Sequence, residues 1–64
     1  MAMRDYASDG RYHIVTNSHG AKSYKTVVYD FQSGKVVEFK VARSIDKATV
    51  NHWFFLAAYT KVSP

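Results

Sequence analysis

The stretch "SYKTVVYDFQSGKVVEFKVA", Ser23 to Ala42, constrains this chain more than any other. Two runs rich in β-branched and aromatic residues flank "QSG", and a short loop ending in glycine is the pattern of a hairpin whose last loop residue adopts a left-handed backbone. With Gly34 in that position, Phe31 pairs with Lys35, Tyr29 with Val37, Val27 with Phe39 and Lys25 with Val41. Because strand side chains alternate between faces, one face then carries Val27, Tyr29, Phe31, Val37, Phe39 and Val41. The other carries Tyr24, Thr26, Val28, Asp30, Val36, Glu38 and Lys40. This alternation predicts an antiparallel sheet with its apolar face inward and its mixed face toward water.

A further strand is expected over Arg11–Asn17 ("RYHIVTN"), joined through "SHGAK", where Gly20 supplies the turn. Downstream, Ser44 or Asp46 caps a helix that runs to about Thr60 or Lys61. The expected fold class is α+β: a three-stranded antiparallel sheet in the order β-β-β-α, packed against one C-terminal helix. Residues 1–10 read as a flexible polar leader, and residues 11–62 as a single small domain. Sixty-four residues leave no room for a second core. The longest apolar run, Trp53–Tyr59, is far shorter than the roughly 20 residues of a membrane span. With no cysteine there is no disulfide and no thiolate metal site. These features, and an N-terminus lacking a basic segment followed by an apolar one, place the chain in the cytoplasm as an expectation.

The helix itself raises the functional question. At about 100° per residue it divides into two apolar seams. One holds Ile45, Ala48, Phe55, Leu56 and Tyr59 around His52; the other holds Val50, Trp53, Phe54 and Ala57. One thin sheet covers one seam. Burying a large apolar side chain is worth about 1.5–3 kcal/mol, a large fraction of the stability of so small a domain. The second seam therefore calls for cover, either from the N-terminal decapeptide folding back through Met3 and Tyr6 or from another chain; Val50, Trp53, Phe54 and Ala57 are the expected partner-binding residues, facing another protein or a second copy. Trp in particular anchors interfaces.

Catalysis is not expected. The three histidines, His13, His19 and His52, have no metal-ligand spacing, and no glycine-rich phosphate loop is present. No catalytic residue, metal, cofactor or small-molecule substrate is indicated. The function read from the sequence is that of a small non-enzymatic interaction protein, of the accessory or phage-encoded inhibitor or regulator kind. The rival reading is a basic nucleic-acid-binding domain: nine Lys and Arg against five Asp and Glu give +4, and the outward sheet face would present Arg11, Tyr24, Thr26 and Lys40. In topology alone, the β-β-β-α order is similar to that of plant ethylene-response-type and integrase arm-binding domains. No residue motif of either is present, so no site is carried over.

Overall fold

In the computed structural model of the chain, which describes residues 2–60, five elements follow one another. They are β1 (Ala2–Ala7), β2 (Tyr12–Ser18), β3 (Tyr24–Asp30), β4 (Lys35–Ala42) and α1 (Ile45–Thr60). The strands form one antiparallel meander in the order β1-β2-β3-β4, and α1 crosses back over one face to touch all four. The fold is α+β with a single C-terminal helix. The sheet, however, has four strands rather than three, so the three-stranded likeness lapses. Lys61 and the boundary at residue 62 lie outside the described residues.

The extra strand comes from the segment expected to be a flexible leader. "AMRDYA" has few residues that favour strands, and its pairing is decided by what it meets. Ser8, Asp9 and Gly10 all adopt positive φ, and the Arg11 N–H donates to the Ser8 carbonyl at 3.1 Å. This tight turn folds β1 onto β2, with Asp5 opposite Ile14 and Ala7 opposite Tyr12. Asp9-Gly10 is a strong turn dipeptide, and it was the signal available in the sequence.

The β3–β4 hairpin keeps the expected pairs Val27–Phe39 and Lys25–Val41. Near the turn the register shifts: Tyr29 opposes Val36, not Val37, and Asp30 opposes Lys35. The loop is thus Phe31–Gly34, one residue longer than expected. Gly34 has φ of 72° and donates its N–H to the Asp30 carbonyl at 2.8 Å. A bulge beside Tyr29 absorbs the difference.

The larger correction concerns which face is covered. The helix packs on the mixed face, burying Ala7, Tyr12, Ile14, Thr16, Thr26, Val28 and Ala42 beneath Ala48, His52 and Phe55, with Leu56 and Tyr59 packed alongside. The apolar hairpin face lies open, with Phe31, Val37, Phe39 and Val41 each about half exposed. His52 accounts for the choice. It sits at the centre of the packed seam and is fully buried, so its ring nitrogens need partners. Over Val15 and Val27 it would find none. On the mixed face Nδ1 lies 2.8 Å from Thr16 Oγ1 and Nε2 lies 2.7 Å from Asp5 Oδ2.

Candidate interaction surfaces

The helix begins where Ser44 Oγ accepts the Lys47 N–H at 3.1 Å, an N-cap one residue before Ile45. Its inner arc is Ala48, His52 and Phe55. The opposite arc, centred nearly half a turn away, holds Val50, Trp53, Phe54 and Ala57, all exposed: Val50 is 63%, Trp53 49% and Phe54 66% accessible. Their positions follow i, i+3, i+4 and i+7, one stripe along the helix. Ile45, assigned to the inner seam, is half exposed because it stands in the first turn. Beside the stripe, Lys40, Arg43, Lys47 and Asn51 line a shallow open depression.

On the far side of the molecule the open face of the sheet forms a second surface. Cross-strand pairing arranges it in rows: Ala2, Asn17, Lys25 and Val41; then Arg4, Val15, Val27 and Phe39; then Tyr6, His13, Tyr29 and Val36. Phe31 joins the last row from the hairpin loop. Tyr6 stacks on His13 with ring centroids 4.4 Å apart and planes 10° apart, and His13 stacks on Phe31 at 5.6 Å. Tyr29 meets Phe31 edge-on at 5.2 Å. Lys25 Nζ lies 4.5 Å from the centre of the Phe39 ring. Burial first, and then the charge of Arg4, hold His13 below its ordinary value, so this ring is uncharged at neutral pH. The fixed charge of the face comes from Arg4 and Lys25.

Between the two surfaces a polar chain runs through the core. Thr26 Oγ1 lies 2.8 Å from Thr16 Oγ1, which contacts His52 Nδ1, whose Nε2 contacts Asp5. Thr16 Oγ1 thus bridges Thr26 and His52, and the His52 ring bridges Thr16 and Asp5. Carboxylate, imidazole and hydroxyl stand in the order of a hydrolytic triad. Yet Thr16 and Thr26 are fully buried under the helix, where no substrate carbonyl can approach a hydroxyl. The chain is a satisfied polar core, and it locks β1, β2, β3 and α1 together.

Two ion-linked contacts fasten the rims. Arg11 Nε lies 3.5 Å from Asp30 Oδ1, and the same oxygen accepts the Gln32 N–H at 2.8 Å. Burial of Asp30 opposes ionisation, but the hydrogen bonds from Gln32, Arg11 and Ser33, with the Arg11 charge, outweigh it and hold the carboxyl below its usual range. At the other end the Tyr59 hydroxyl donates to Glu38 Oε2.

The residues expected to read nucleic acid are dispersed by this arrangement. Thr26 is 1% accessible beneath the helix, and Tyr24 is half-buried on that same face. Lys40 is exposed beside the helix, and Arg11 is engaged with Asp30 at the β1–β2 turn. They form no common outward surface. The residues that do, Arg4, Tyr6, His13, Lys25, Tyr29, Phe31 and Phe39, were half legible: the alternation grouped Tyr29, Phe31 and Phe39 but assigned them to the interior. The signal that could have placed them outside was His52, whose polar ring in the packed seam demands hydroxyl or carboxylate partners. Among the described residues no helix is long and apolar enough to cross a membrane, and no group of three metal-ligating side chains forms. Comparison with family models, with curated proteins and with solved structures finds no match to this chain.

Proposed function

We propose that this chain is a small non-enzymatic interaction protein that docks the outer stripe of α1 into an apolar groove of another protein. The observation that carries this reading is the exposure of Val50, Trp53, Phe54 and Ala57 along one helical stripe, directly opposite the seam that packs on the sheet. Anchors at i, i+3, i+4 and i+7 are the pattern by which amphipathic helices enter grooves.

Area favours a groove over a second copy. Aromatic side chains bury about 150–250 Å² each, so a stripe roughly half to two-thirds exposed offers on the order of 400 Å². A standard interface buries about 800 Å² per partner. Two such stripes laid flat against each other fall short, whereas a concave partner also engages the helix flanks. Lys40, Arg43 and Lys47 beside the stripe match an acidic rim on that partner, which would raise the association rate and fix orientation. An inhibitor or regulator role fits a domain of this size and chemistry.

The test is photocrosslinking from a benzophenone side chain installed at position 54, followed by purification of the crosslinked protein and reconstitution of the pair. Trp53→Ala and Phe54→Ala are expected to weaken the reconstituted complex by roughly 30-fold or more each, the loss of a hot spot of about 2 kcal/mol or above. Affinity unchanged by both substitutions would overturn the reading. So would a sedimentation profile showing a homodimer that Trp53→Ala dissociates, which would assign the stripe to self-association.

A further inference from the structure

The open face of the sheet combines three properties. It is rich in accessible rings: Tyr6 is 57%, Phe31 51% and Phe39 57% exposed. It carries two cations, Arg4 in the row of Val15, Val27 and Phe39, and Lys25 in the row beside it. And among the described residues its three strand rows carry no carboxylate, although at their margin Asp9 lines a depression together with Phe31. Of the five acidic residues, Asp5 reaches His52 on the helix side, Asp30 is buried on that side, and Glu38 meets Tyr59 of the helix; Asp9 lies in the β1–β2 turn and Asp46 in α1.

We infer that this face binds single-stranded nucleic acid, with bases stacking on the ring group of Tyr6, His13, Phe31 and Tyr29 and on Phe39, and phosphates meeting Arg4 and Lys25. Rings give sequence-tolerant stacking surfaces, and cations set between them follow the backbone. The competing occupant is a second copy, sheet against sheet. That arrangement would bring two Arg4 and two Lys25 side chains into one interface with no carboxylate in the strand rows of either face to pair with them. Unpaired charge is costly to bury and is depleted from the centre of protein interfaces. Phosphates supply the missing countercharge, and the chain's overall +4 acts in the same direction. A duplex fits poorly, because its bases are stacked inside and offer no free faces to the rings.

This site lies on the opposite side of the sheet from the helix stripe and stands independently of it. The probes are fluorescein-labelled 12-nucleotide oligothymidylate, oligouridylate and a duplex of the same length, titrated with the intact chain and followed by anisotropy. Both single strands are expected to bind more tightly than the duplex. Raising salt from about 50 to about 200 mM should weaken binding with a log–log slope near −1.4, the value for two phosphate contacts on a single strand. Phe31→Ala and Phe39→Ala, both at half-exposed positions, should each weaken binding by roughly 5- to 100-fold. Arg4→Gln and Lys25→Gln should each flatten the slope by about 0.7. Trp53→Ala should leave all of these unchanged, with circular dichroism confirming the fold of every variant. Absence of single-strand binding at low salt overturns the inference. So does equal binding of duplex that survives the ring substitutions, and so does a homodimer that Phe39→Ala dissociates.

Discussion

At the scale of single residues, His52 does most to decide the structure. It is fully buried at the middle of the packed seam, and each of its ring nitrogens has a partner. The two threonines of the buried hydrogen-bond network, Thr16 and Thr26, are not equivalent. Thr16 holds both His52 and Thr26, whereas Thr26 holds Thr16 alone among the bonds described. Valine matches threonine closely in shape but offers no hydroxyl. Thr16→Val therefore strands the imidazole Nδ1 and the Thr26 hydroxyl in the interior. A buried polar group left unpaired costs about 1–3 kcal/mol, and in a domain of this size each kcal/mol lowers the melting temperature by roughly 4–8 °C. Thr26→Val leaves the Thr16–His52 bond in place and should be clearly milder. Thermal melts of the two variants check this order; an equal or reversed pair of shifts would remove the central place of Thr16 in the network.

At the scale of elements, the helix is capped locally by Ser44 at its start and tied to other segments at its end. Its C-terminal turn is tied twice: the Ser8 hydroxyl donates to the Tyr59 carbonyl at 2.6 Å, and the Tyr59 hydroxyl donates to Glu38 of β4. Burial first, then the hydrogen bond to Glu38 and the charge of that carboxylate, push the Tyr59 phenol from its ordinary 10.0 up to about 12. The folded state thus holds the proton more tightly than the unfolded chain does. The resulting contribution to stability is complete below pH 10 and is lost as pH rises from 10 toward about 12. Urea melts on either side of that window should give a falling stability for the native chain and a shallower fall for Tyr59→Phe. An identical alkaline slope in both would show that another group titrates there.

At the scale of the whole molecule, a single sheet layer and a single helix leave two outer surfaces, and both are apolar. The contrast is sharpest at adjacent positions: Phe54 is 66% exposed on the outer stripe, and Phe55 is 5% exposed against Ile14 and Val28 in the core cluster. Phe55→Ala should cost about 3–5 kcal/mol, because it empties core volume, and that exceeds or approaches what a domain this small can lose. Phe54→Ala should stay within about 0.5 kcal/mol, as surface substitutions do. Circular dichroism melts decide between these outcomes. A large loss at Phe54 would mean that the stripe is covered within the folded chain.

What the sequence determined by itself was local. The alternation of Tyr24–Asp30, the glycine of the hairpin, the Ser44 cap and the division of the helix into two seams all follow from backbone geometry and side-chain spacing, and each is present in the fold. Which side of the sheet the helix would take was not a local matter. Alternation sorts side chains into two faces with no mark of which one is covered, and counting apolar residues pointed to the wrong one. Tertiary structure settled it through partners distant in sequence, since His52 needed Thr16 and Asp5. The same is true of β1, a weak strand former held by a turn, by β2 and by that histidine. A buried polar ring outweighed a broader apolar face because a side chain left half exposed forfeits part of its transfer energy, whereas an imidazole buried without partners bears the full penalty of its lost hydrogen bonds to water.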